Sequence, residues 1–199
     1  MVEFSIVALF LFSLVGGLID FSLAFFQWNA ASRAMQAGVR VASVSDPVAR
    51  GIEDWQFAAL VPGDPMPSFT VTCQAGACLC TGTCPSNPTY NSQAMTRIIN
   101  GRNLQCGGAA EPTGLPGMCD VYWRIQPQNV IVRYSQGTSL GFAGRPGGPV
   151  PTITIELTGL QYDFIFLRNL IPSRFMTMPA MSTSATGEDL RACGEDACP

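Results

Sequence analysis

The chain has 199 residues, 47% hydrophobic and only 13% charged, with a net charge of −3, no histidine, and arginine as its only basic residue. Without histidine, Ser-His and Cys-His nucleophilic schemes are closed and the commonest neutral metal ligand is missing; without a basic stripe, nucleic acid is excluded as a partner. The acidic pairs Glu53-Asp54, Glu188-Asp189 and Glu195-Asp196 are sequence neighbours, a solvated-surface pattern rather than an opposed acid and base. The expectation is a protein that is not an enzyme, with no catalytic residue, no metal and no cofactor.

The first predicted element is a long helix. From Phe4 to Ile19 there is no charge, and a helix needs about 20 mostly apolar residues to cross a hydrocarbon core of roughly 30 Å. With Glu3 at one interface, the other falls between Leu23 and Trp28, a level that suits Gln27 and an indole. Asp20 then lies just inside the apolar slab, where an ionisable group is a functional or pairing hypothesis by default, and its partner must come from outside the helix. No basic residue precedes Arg33, and Ala30-Ala31-Ser32 follows too long an apolar run for a secretory signal peptide, so the segment reads as uncleaved or anchor-type, with processing immediately upstream of Val2 left open. The helical pattern continues through Gln27–Ser43 and stops at Ser43-Val44-Ser45-Asp46-Pro47. Its length is about 60 Å, half of it beyond the bilayer. Ala34, Gly38 and Ala42 form a small-residue ladder, as Ser13 and Gly17 begin another. Such a face packs either on the chain's own head or on a second helix.

Beyond Pro47, Asp46 as N-cap and Pro47 at the first helical position predict a short helix over 48–60. Ser68 to Cys73 reads as a strand, and the Cys-Gly cluster up to Pro85 as a stapled loop. Thr89 to Asn100 has helical spacing and stops at Gly101; 107–117 is a turn-rich connection. Three further strands are expected: Val121–Ile125 extended towards Tyr134, Thr152–Leu157, and Gln161–Leu167. In the second, Ile153, Ile155 and Leu157 alternate with Thr152, Thr154 and Glu156, giving one buried and one wet face. The glycine-rich stretch 135–151 lacks P-loop spacing and reads as a hairpin connection or a binding tip. The last twenty residues read as a surface tail.

All eight cysteines lie beyond the anchor: Cys73, Cys78, Cys80, Cys84, Cys106, Cys119, Cys193 and Cys198. An even set in a loop-rich region reads as disulfides, Cys106 with Cys119 and Cys193 with Cys198 being local guesses. The spacing of the first four lacks the C-x2-C knuckle of zinc sites. Oxidised cysteines place this region outside the cytoplasm, whereas Arg33 and Arg40 after the span favour the opposite orientation.

Val2-Glu3-Phe4, then Leu18-Ile19-Asp20-Phe21, then Ala30-Ala31-Ser32-Arg33-Ala34 with Ala37-Gly38-Val39-Arg40 resemble the N-terminal signature of TadE-like pilus assembly proteins. The resemblance covers about the first 42 residues. It implies a minor pilin or pseudopilin of the tight-adherence (Tad, or Flp) type IV pilus, with Glu3 as the assembly glutamate meeting a neighbour's amino terminus and Asp20 as a second assembly residue. The implied partners are the membrane, other pilins, assembly-platform proteins and prepilin peptidase. The implied location is the inner membrane, single-pass, with the C-terminal part periplasmic or extracellular. Glu3 has a plainer reading as a carboxylate favoured by a helix N-terminus. The alternative function is a membrane-anchored, adhesin-like binding protein without a filament. The expected architecture is α+β and pilin-like: an anchor and assembly helix over 1–43, then a disulfide-rich antiparallel sheet with short helices over 44–199.

Overall fold

The computed structural model describes residues 2–57, 60, 63–101, 105–106, 115–137, 143, 148–169 and 176–187. Cys193, Cys198, the acidic pairs at 188–189 and 195–196, and most of the glycine-rich stretch lie outside the described residues. The first element is α1 (Val2–Ser43), an uninterrupted helix about 63 Å long at 1.5 Å per residue. It is followed by β1 (Ala49–Arg50), β2 (Phe69–Gln74), β3 (Ala77–Gly82), β4 (Thr89–Tyr90), α2 (Ser92–Asn100), α3 (Met118–Val121), β5 (Val130–Gln136), β6 (Thr152–Leu157) and β7 (Met181–Thr186). The fold is α+β, a long apolar helix followed by antiparallel sheet.

The helix expected over 48–60 does not form. Asp46 faces Arg97 at 3.7 Å, and the Val48 N–H is taken by the Tyr134 hydroxyl. Ala49 and Arg50 pair with Tyr90 and Thr89, and Gly51 at φ +101° turns the chain out of any helical path. Only a 3-10 turn, Ile52–Asp54, remains. In α2, by contrast, the Asn91 carboxamide oxygen accepts from the N–H groups of Gln93 and Ala94, satisfying donors that a helix start leaves open.

Among the described residues the main sheet has the order β3-β2-β5-β6-β7, antiparallel throughout. The Cys-Gly segment expected as a loop is a strand: β2 and β3 form a hairpin closed by Ala75 and Gly76, both at positive φ. Residues 121–125 enter as the end of α3 and a turn, so β5 starts only at Val130. Residues 161–167 form no strand; among them only Gln161 makes a bridge, to Thr177. The edge position beside β6 belongs to β7, inside the segment expected to be a tail. The alternation expected in β6 is present, with Ile153, Ile155 and Leu157 buried and their neighbours partly wet. On that wetter face the Arg133 guanidinium meets the Glu156 carboxylate at 2.8 Å across β5 and β6.

The second half of α1 packs against β6, β7, α2 and α3. Ala31, Ala34, Met35, Gly38, Val39, Val41 and Ala42 are buried there. A Cβ on Gly38 would lie 2.6 Å from Met118 Cγ and Sδ, so the missing side chain is what lets α3 close on α1. The ladder Ala34, Gly38, Ala42 is therefore covered by the chain's own head, leaving no room for a second helix on that face. Disulfides join Cys73 to Cys78 across the β2–β3 hairpin, Cys80 to Cys84, and Cys106 to Cys119.

Two consequences are measurable by denaturant titration of the full chain in detergent. Gly38→Val forces Met118 aside and lowers stability by about 1–3 kcal/mol, an amount that Met118→Ala partly restores in the double variant. Tyr134→Phe leaves the buried Val48 N–H without its acceptor and costs about 1–3 kcal/mol. Burial also holds the Tyr134 phenol far above its ordinary 10.0. Below pH 10 it is neutral folded and unfolded. Above that the unfolded chain ionises while the folded one does not, so stability falls with rising pH, and more steeply with Tyr134 than with Phe in its place.

Candidate anchoring and assembly site

The first half of α1 is bare. From Phe4 to Ile19 nearly every large side chain is exposed, Phe10, Phe12 and Leu14 among them, and α1 is long and apolar enough to cross a membrane. Glu3 stands exposed in the first turn, where the helix dipole favours an anion.

Asp20 is buried, and the structure supplies its partner. The N–H of Ile165 donates to Asp20 Oδ1 at 2.8 Å, while those of Phe166 and Leu167 donate to Oδ2 at 2.9 and 2.6 Å. Hydrogen bonds to an ionised acceptor are among the strong ones, and three from one short loop fix that loop's position as well as its energy. Two turns further along, on the same face of α1, the Gln27 carboxamide holds the loop a second time. Its Nε2 donates to the Asp163 carbonyl and its Oε1 accepts from the Asp163 N–H, both at 2.9 Å. Beneath Phe166 lies Gly16, where a Cβ would come within 3.0 Å of the ring. Gly16, Asp20 and Gln27 thus make a seat on α1 for residues 163–167.

On the head side of the same seat, the Arg124 guanidinium pairs with the Asp163 carboxylate at 3.3 Å and lies 5.4 Å over the Trp123 ring. Val121 lines a cleft with Phe25, Phe26, Asn29 and Arg33 of α1. The α3 segment and the 163–167 loop therefore approach the same stretch of helix.

Glu3 and Asp20 are not brought together; seventeen residues of helix hold them about 25 Å apart. Gly16 and Gln27 were not visible as site residues in the sequence. Gln27 suited an interfacial level, and its position seven residues after Asp20 was the one signal that the two share a face. The loop itself had the composition of a strand.

The family model described as TadE-like protein matches residues 1–40, the bare half of α1 and most of its buried half. The N-terminal segment resembles this family. Nothing among curated proteins or solved structures matches the chain. The TadE-like segment contains Glu3, Gly16, Asp20 and Gln27, so all helix-side groups of the seat belong to it, whereas the loop that they hold belongs to the remainder. It points to a function connected with the Tad pilus and to a membrane-anchored protein.

Removing the Asp20 carboxylate frees three amides at once. In Asp20→Ala, the N–H groups of Ile165, Phe166 and Leu167 exchange with solvent deuterium on the order of tenfold faster than in the parent protein. Asp20→Asn, which keeps one acceptor oxygen, falls between them. Unchanged exchange in both variants would show that the loop is held by other contacts.

Proposed function

We propose that the protein is a minor pilin or pseudopilin that takes part in assembling a Tad-type pilus. Before assembly α1 holds it in the inner membrane, with the disulfide-bearing head on the oxidising side. The observation that carries this reading is the division of a single helix: a bare apolar half with Glu3 at its tip, and a half buried in a folded head. A surface of that kind is stable in lipid or against equally apolar helices of neighbouring subunits, and the TadE-like match supports the second use as well as the first.

Within this reading Glu3 is the assembly residue, its carboxylate meeting the amino terminus of a neighbour, while the prepilin peptidase and the assembly platform act on the same N-terminal stretch. Asp20 acts inside the subunit, fixing head to helix. Neighbouring subunits meet the bare half of α1 and not the ladder Ala34, Gly38, Ala42, which is covered.

In cells, Glu3→Ala is expected to abolish surface pili while the protein remains in the membrane fraction. A photo-crosslinking residue at position 10 or 14 traps other pilins, whereas one at the buried position 34 traps none. Normal piliation of the Glu3→Ala strain would overturn the assembly role, and trapping of monomers alone at every exposed position would reduce α1 to an anchor.

A further inference from the structure

We propose that the loop 163–167 is a second membrane contact: a short apolar finger of the head that enters the lipid beside α1, at the level of Asp20. Ile165 is 66% exposed and Phe166 52% exposed, although both sit on a loop whose backbone is firmly tied down. Large apolar side chains held out by a rigid backbone present a surface rather than escape one.

The level follows from the helix. Taking Glu3 at one boundary of a hydrocarbon core of roughly 30 Å, Asp20 is about 25 Å along and still within it. Whatever is bonded to Asp20 shares that depth. Non-helical backbone is tolerated there only where its polar groups are satisfied by protein. The Ile165, Phe166 and Leu167 N–H groups meet that condition, all three donating to Asp20. The apolar surface of Ile165 and Phe166 is continuous with the bare face of α1, since Phe166 lies against Gly16.

The next level up is of a different kind. Gln27 lies about 10 Å further along α1, outside that core. It holds Asp163, and Asp163 pairs with Arg124 beside Trp123, which is 74% exposed. Indole and guanidinium groups are the residues that favour the headgroup region. Arg168, exposed and immediately after the apolar tip, has a side chain long enough to carry its charge from that depth up to the headgroups. Apolar finger below and aromatic and cationic belt above match the profile of one leaflet, which is the reason for choosing lipid over a second copy of the chain as the occupant.

The proposal rests on the membrane-anchored reading of α1 and not on the filament role. Its test is depth-dependent quenching in the full chain, reconstituted in phosphatidylcholine and phosphatidylglycerol vesicles with acyl-brominated lipid. Reporter tryptophans are introduced by Phe10→Trp or Ile165→Trp, with Trp28 and Trp123 changed to Phe and Trp55, buried in the head, kept as the internal standard. The tryptophan at 165 is expected to be quenched as fully as the one at 10, and addition of Asp20→Ala to abolish quenching at 165 while leaving that at 10. Quenching at 10 but not at 165 would overturn the finger and leave the anchor standing. Quenching at neither position would overturn the anchor itself. If 165 is silent to lipid but a photo-crosslinker there traps a second copy, the surface is an intersubunit contact and the lipid assignment is wrong.

Discussion

A carboxylate within an apolar slab and a stretch of irregular peptide at the same depth have the same difficulty, because neither finds water and each carries polar groups that hydrocarbon cannot satisfy. Asp20 and the amides of Ile165, Phe166 and Leu167 resolve the difficulty for one another. Neither is comfortable alone. That mutual requirement fixes where the head meets the helix, since sliding the loop along α1 by a turn would strand both sets of groups. Gln27 adds the second point that a rigid attachment needs, and Gly16 supplies the space.

The rest of the molecule is arranged around that junction. Below it, α1 carries bulky apolar side chains outwards all around, the pattern of a helix whose surroundings are themselves apolar. Above it, the same helix turns to Ala31, Ala34, Gly38 and Ala42 on the face that meets α3, β6 and β7, where the side chains of Met118 and Ile155 fill the space over Gly38. The change of character occurs within an unbroken hydrogen-bonded rod, so a displacement of the head is a displacement of the whole helix. In the proposed pilin role, transfer from lipid to a filament would be a rigid-body step: the bare half would exchange one apolar environment for another while the head stayed folded around the upper half.

How much of this the sequence discloses depends on whether local chemistry or tertiary pairing decides the element. Residues 152–157 alternate apolar and polar side chains, and 92–100 have helical spacing with a stop at Gly101, so both were legible, although Thr89 and Tyr90, expected as the start of that helix, pair with β1 instead. The β7 strand, Met-Ser-Thr-Ser-Ala-Thr, buries mainly Met181 and is defined by its partner β6 rather than by its own hydrophobicity. The helix expected after Pro47 had a cap and a good first position, yet lost to Tyr134, Tyr90 and Gly51, none of which a local reading weighs. Residues 161–167 had the composition of a strand because a finger meant for lipid and a buried strand draw on the same aromatic and β-branched residues. The first forty residues announced the site's helix side. Its loop side, more than 130 residues away, was invisible until the fold brought it there.

The two carboxylates of α1 divide the work according to what surrounds them. Three of the acceptor positions on Asp20 are filled by its own chain, and the group is closed off from outside, so it can set the shape of the subunit but cannot choose a partner. Glu3 is the other acidic residue in the helix, and it is exposed at the end that a neighbour or the opposite membrane surface must meet. A single unscreened charge at the tip of a long apolar rod gains little from water if it is drawn into lipid or a filament core, and it gains most from a cation presented at the same depth. In the proposed assembly role, selectivity would therefore fall on the tip of α1, while its middle, sealed by the head, keeps the orientation in which that tip is presented.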